Sequence, residues 1–148
     1  MEELRITTEP AELDIPLIHR FLSEESAWAR GIPLAIVEES IRHSLNFGLF
    51  AGARQVAYAR VVTDYSTFAY LVDVFVLAEQ RGKGYSAELM TAVMAHPRLQ
   101  GLRRFMLATS TAHGLYAKFG FATPARLQSL MERFTPDAYA ANSTNLTH

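Results

Sequence analysis

The stretch Arg81-Gly82-Lys83-Gly84-Tyr85-Ser86 constrains this chain more than any other. Before it runs Tyr70-Leu71-Val72-Asp73-Val74-Phe75-Val76-Leu77, apolar and β-branched in the manner of a buried strand. After it comes a helical pattern, Ala87-Glu88-Leu89-Met90-Thr91-Ala92-Val93-Met94. A strand that turns through two glycines into a helix leaves N–H groups without partners at the helix start, where the dipole is positive. Such a turn suits a phosphate or pyrophosphate, with Lys83 and Arg81 adding charge nearby. It is neither a G-x-G-x-x-G fingerprint, whose third glycine would fall at Ala87, nor a Walker loop. Taken alone, it is either an anion site or a tight turn that needs glycine for geometry and binds nothing.

The rest of the composition removes whole classes of function. At 148 residues the chain suits one domain, expected over 1–135, with 136–148 as a flexible C-terminal tail. A net charge of −1 gives no basic bias toward nucleic acid or membrane surface. With no cysteine there is no disulfide frame, thiolate metal site or cysteine nucleophile, and no metal is expected. No apolar stretch reaches membrane-spanning length, and Met1-Glu2-Glu3-Leu4-Arg5 lacks the apolar core of a signal peptide, so a cytoplasmic location is expected. The glycosylation-like triplets at Asn142 and Asn145 read as chance.

Patterning then orders the elements. Leu4 to Thr8 alternates as a short strand. Asp14 looks like an N-cap, with Pro16 in the first turn and Leu17, Ile18, Phe21 and Leu22 on one face of a helix running to Ser23. Residues 24–32 read as a loop or broken helix, and Pro33 to Leu45 as a second helix. Phe47–Ala51 and Gln55–Val62 form a hairpin about Gly52-Ala53-Arg54, and Thr67–Leu77 is the long strand before the glycines. A helix from Tyr85 ends before Pro97, Arg104–Thr109 is a strand, and His113–Phe119 is a short helix stopped at Gly120. Leu127–Phe134 is expected as a final strand. The order β-α-α-β-β-β-α-β-α-β predicts an α/β (α+β) domain: a mixed sheet with helices on its faces.

About thirty residues past the glycines stands Leu115-Tyr116-Ala117-Lys118-Phe119-Gly120-Phe121. A strand ending in V-L-x-x-x-R-G-x-G, then a helix, a strand and L-Y-x-K-x-G-F, resembles the GNAT superfamily of N-acetyltransferases over roughly residues 3–134. The resemblance implies a central, largely antiparallel sheet splayed at the cofactor site, and acetyl transfer from acetyl-CoA to a primary amine by direct attack. It implies that Gln80 to Ser86, including Arg81, Gly82, Lys83, Gly84 and Tyr85, binds the CoA pyrophosphate. Phe75, Val76 and Leu77 would pair with the pantetheine arm, the Val76 N–H would polarise the thioester carbonyl, and Tyr116 would protonate the departing thiolate. Two departures stand out: the motif frame closes on Ser86, and Thr109 holds a position that is often Asn. The family's sheets often pair through edges or C-terminal strands, which leaves room for a homodimer.

Other residues carry two readings each. On periodicity alone Tyr116 could be a packed aromatic; within its motif the acid role takes precedence. Asp73, an acid in an apolar strand, is either a general base or anchor for the substrate ammonium, or a salt-bridge partner of an arginine such as Arg60. Leu71, Asp73, Phe75 and Leu77 are expected on one face of their strand, and Val72, Val74 and Val76 on the other. His113 could relay protons or touch CoA, or be an ordinary surface histidine. Trp28, with Ser26 nearby, could line the acceptor pocket or pack in the core. The leading function is acetylation of a small-molecule amine. Acetylation of a protein or peptide amine, a non-catalytic acyl-CoA sensor, and a simple phosphate-binding module compete with it.

Overall fold

The computed structural model describes residues 2–139, so the triplets at Asn142 and Asn145 and most of the expected tail lie outside the described residues. Five strands form one sheet in the order β1 (Leu4–Thr7), β2 (Leu45–Ala51), β3 (Arg54–Thr63), β4 (Phe68–Val76), β5 (Arg104–Leu107). Neighbours are antiparallel except β4 and β5, which are parallel. One face carries α1 (Ile15–Arg20) and α2 (Leu34–Arg42); the other carries α3 (Tyr85–Ala95) and α4 (His113–Ala117). No helix among the described residues is long and apolar enough to cross a membrane.

Local chemistry sets the element ends. The Asp14 side chain accepts from the Leu17 N–H at 3.1 Å, starting α1 where expected. The helix does not run evenly to Ser23: residues Phe21–Glu25 widen into a π turn closed by Ser26 N–H on the Phe21 carbonyl at 2.9 Å. Helix α2 ends three residues earlier than periodicity suggests. The buried Asn46 amide donates to the carbonyls of Ile41 (2.9 Å) and Ser44 (3.1 Å), so Leu45 begins β2 instead of closing the helix. Gly120 takes φ +92° and the Phe121 N–H closes on the Tyr116 carbonyl at 3.2 Å, stopping α4 as a glycine terminus should.

Two expectations are corrected. Leu127–Phe134 is not a strand: Leu127–Ser129 is a single 3₁₀ turn, and residues 130–134 join no sheet, with Met131 96% and Phe134 71% exposed. The segment has apolar residues but no β-branched one, and Leu130 and Met131 are adjacent rather than alternating, so little in it favours a strand. The expected sharing of one face along β4 also fails. Arg60 pairs with Val72 but Tyr58 pairs with Phe75, so one extra residue sits in β4 opposite Ala59. Asp73 absorbs the irregularity with φ +55°. The extra residue reverses the alternation. Ala69, Leu71 and Val76 pack with Leu89, Met90, Val93 and Tyr116, whereas Phe75 and Leu77 pack on the opposite face with Leu17, Phe21, Leu22 and Ile32.

Candidate active site

β4 and β5 part company. Their pairing runs from Phe68–Arg104 to Leu71–Leu107, and Val72–Val76 then continue without β5 beside them. A gap therefore opens at the C-terminal end of β4. The Leu77 N–H donates to the Val56 carbonyl on β3 at 2.9 Å. Antiparallel alternation turns the Val76 N–H and C=O the other way, toward the gap. The Val76 carbonyl is met there by Arg81 Nε at 3.2 Å.

The glycine loop follows at once. Gly82 and Gly84 adopt φ +82° and +81°, the left-handed region that a side chain enters only at a cost. A Cβ at either position would meet nothing within 4 Å, so conformation rather than crowding within the protein requires glycine. Gly84 is the N-cap of α3 and no side chain caps the helix; the first turn bond is Glu88 N–H on the Gly84 carbonyl at 3.1 Å. The N–H groups of Tyr85, Ser86 and Ala87 are thus left facing the loop side. Lys83 Nζ donates to Gln80 Oε1 at 2.9 Å and holds its cation beside the same turn. The acid at the loop entrance, Glu79, is engaged elsewhere: Arg54 on β3 donates to it at 2.7 Å. Its own backbone N–H and then Arg54 hold its carboxyl below the usual range.

Across the gap, Tyr116 is 8% exposed on α4 and meets the Phe121 ring edge-on at 6.3 Å between centroids. Burial pushes its phenol upward, keeping it protonated at neutral pH. Thr109 Oγ1 accepts the Ala112 N–H at 3.0 Å and secures the start of α4. His113 and Tyr116 both line a cavity of about 1100 Å³ enclosed by β5, α4 and the chain from Phe121 to Leu130. No part of the sequence analysis pointed to this cavity.

On the opposite face stands a compact polar cluster. Asp73 is 8% exposed; its Oδ1 accepts Trp28 Nε1 at 2.8 Å and its Oδ2 accepts Arg60 Nε at 2.9 Å. Arg60 also donates to Ser44 Oγ at 3.0 Å. Asp73 therefore has the arginine partner anticipated for it, and a second donor that sequence reasoning missed. An acid in mid-strand is a signal for a bulge, because Asp tolerates positive φ better than most residues, but the bond to Trp28 spans 45 positions and has no local sign. Trp28 is 51% exposed. Ser26 is buried: its hydroxyl donates to the Leu22 carbonyl at 2.6 Å and accepts the Ala29 N–H at 2.9 Å, shaping the loop that carries Trp28. The structure thus brings Val76, Arg81, Lys83 and Gly84 together at the end of β4, with Tyr116 to one side of the sheet and Asp73 and Trp28 to the other. Among the described residues no group of three or more His, Asp or Glu side chains is placed to hold a metal ion.

Known proteins share this arrangement. Residues 15–121 match the Acetyltransferase (GNAT) family. A crystal structure of a proposed GNAT-family acetyltransferase from Xanthomonas campestris pv. campestris is 61% identical, with a TM-score of 0.92 over 95% of this chain and 99% of that one. A proposed acetyltransferase of Gibberella zeae is 30% identical over 135 residues, 76% of this chain and 75% of its own length. The structure of AAC(6′)-Iy in complex with the bisubstrate analogue CoA-S-monomethyl-acetylneamine shares the fold at 20% identity, with a TM-score of 0.59 over 91% of this chain and 99% of that one. The mixed five-stranded sheet, its flanking helices and these matches agree: the chain belongs to the GNAT family of acetyltransferases, enzymes that use acetyl-CoA.

Proposed function

We propose that the chain acetylates the primary amine of a small molecule, the amine attacking acetyl-CoA directly within a ternary complex. The observation that carries this reading is the continuity of gap and loop. β4 outruns β5, and the strand end leads within a few residues into an uncapped helix N-terminus flanked by Arg81 and Lys83. The N–H groups of Tyr85 to Ala87 suit the pyrophosphate, and residues Phe75 to Leu77 offer backbone to the pantetheine arm. The Val76 N–H, turned toward the gap, would stabilise negative charge as it develops on the thioester oxygen. The amine nitrogen forms the new C–N bond, the C–S bond breaks, and the Tyr116 hydroxyl gives its proton to the leaving sulfur. The amine's surplus proton passes to solvent, and the Tyr116 phenolate recovers a proton from solvent to close the cycle. No covalent enzyme intermediate is required, which fits a chain without cysteine. His113, beside Tyr116 on the cavity wall, stands where it could contact the cofactor.

Calorimetric titration with acetyl-CoA, with ADP as control, tests the binding half. Tight acetyl-CoA and weak ADP binding are expected; equal affinities would reduce the loop to a phosphate module. Thiol release with a panel of amines tests the chemical half. Tyr116→Phe is expected to lower kcat by about ten- to a thousandfold with little change in acetyl-CoA affinity, the loss of one acid. An unchanged kcat would remove Tyr116 from that role.

A further inference from the structure

The cluster on the α1–α2 face points to how the acceptor is chosen. Asp73 is the only non-glycine residue at positive φ within a strand among the described residues, and both of its carboxylate oxygens are committed, one to Trp28 and one to Arg60. The Arg60–Asp73 pair is well shielded, with side chains 16% and 7% exposed. Each oxygen spends one of its acceptor positions on a fixed donor, and with the side chain almost fully buried the carboxylate is held in place by Trp28 and Arg60 rather than presented to solvent. The bulge fixes the carboxylate, and the carboxylate fixes the indole. Trp28 is half exposed, while its neighbours Ala29 and Ile32 are buried against Phe75 and Leu77. With its N–H turned inward, the part of the ring that solvent meets is flat carbon surface.

The two faces of the sheet divide the work. Tyr116 packs with Leu71 and Val76, and Trp28 emerges beside the residues that pack on Phe75 and Leu77. A thioester held in the gap, with its leaving-group acid on the first face, is approached by the amine from the second. That is where the indole stands, one hydrogen bond from Asp73, two residues past the last pair of β4 with β5. We infer that Asp73 is a positioning residue, not a base: it holds Trp28 as a wall of the acceptor site, and the acceptor is an amine with an aromatic or otherwise flat, apolar body. This inference rests on the acyltransferase reading given above.

Trp28 is the single tryptophan, so intrinsic emission reports on it alone. The probes are phenylethylamine, spermidine and glucosamine 6-phosphate, each with acetyl-CoA. Phenylethylamine is expected to be the preferred acceptor and to perturb Trp28 emission on binding. Asp73→Asn tolerates the positive φ but removes the charge. It is expected to raise KM for phenylethylamine about tenfold, leave KM for acetyl-CoA within about twofold, and red-shift the indole emission with greater quenching by acrylamide. Trp28→Phe keeps the Asp73–Arg60 pair and carries the same KM split if Asp73→Asn fails to fold. Loss of the pH-dependent limb of kcat in Asp73→Asn, with emission and KM unmoved, would make Asp73 the base and overturn the proposal. So would a clear preference for spermidine or glucosamine 6-phosphate. Wild-type protein that releases thiol with some other amine but shows neither turnover nor an emission change with phenylethylamine would overturn the acceptor wall alone, whereas no acetyl-CoA binding at all would overturn the proposed cofactor site. The emission of Asp73→Asn reports on the pin itself in either case.

Discussion

Gly84→Ala isolates what the loop glycines are for. Gly84 sits at φ +81°, ψ 14°, and a Cβ there would touch nothing within 4 Å, so the substitution introduces backbone strain and no clash. A side chain in the left-handed region costs about 1–2 kcal/mol. Alanine also reduces the freedom of the unfolded chain, which works in the opposite direction, but at an incompatible φ the strain outweighs that gain. For a domain of this size each kcal/mol moves Tm by about 2–4 °C, so a fall of roughly 2–8 °C is expected. Gly114 supplies the control. It lies in α4, has no positive φ, and a Cβ there also meets nothing within 4 Å. Gly114→Ala should therefore raise stability by about 0.5–1 kcal/mol. Both variants are compared by urea unfolding at neutral pH, with acetyl-CoA titration as a second readout. Gly84→Ala should retain weakened binding, whereas Gly84→Glu should lose it by placing a carboxylate against the pyrophosphate. If Gly84→Ala unfolds at the same urea concentration as wild type, the claim that conformation selects glycine here is wrong. If Gly84→Glu still binds acetyl-CoA, the loop is not the cofactor site.

Phe21 stacks on Phe75 at 4.0 Å with an interplanar angle of 8°, and Phe21→Ala should cost about 3–5 kcal/mol by denaturant titration; a cost under about 1 kcal/mol would mean the stack is not part of the core. Burial, and then the Arg98 guanidinium, hold His96 below the ordinary imidazole value, and its Nδ1 accepts the Arg98 N–H at 3.1 Å. A depressed pKa means the unfolded chain binds the proton more tightly, so the stability from His96 is present above pH 6.5 and is lost as pH falls below it. His96→Gln should show a shallower loss of Tm than wild type between about pH 7.5 and 5, and parallel curves would contradict the assignment.

The elements that sequence made legible are those with a local cause. The Arg81–Ser86 turn was readable because two glycines between an apolar strand and a helix have few other uses, and both do take positive φ. Asp14 and Gly120 marked helix ends through their own side-chain and backbone chemistry. Features that depend on a distant partner were not readable. Periodicity assumed that β4 alternates without interruption, and one inserted residue opposite Ala59 sent Phe75 and Leu77 to the face away from Leu71. Leu127–Phe134 offers apolar residues without β-branching or alternation, and the fold sets no strand beside it. Asp73 stands out in the sequence for its charge, yet the Trp28 bond that engages its second oxygen joins segments that only the folded sheet brings together.

The inserted residue in β4 also bears on how the domain comes apart. A regular strand would serve a given hydrophobic layer along its whole length. Here the first half of β4 belongs to the layer under α3 and much of the second half to the layer under α1 and α2. The two layers are thus stitched through one backbone, and neither can melt while leaving the strand intact for the other. Such a chain should lose both layers in a single cooperative step, with the most slowly exchanging amides clustered in β3 and β4 on either side of the bulge.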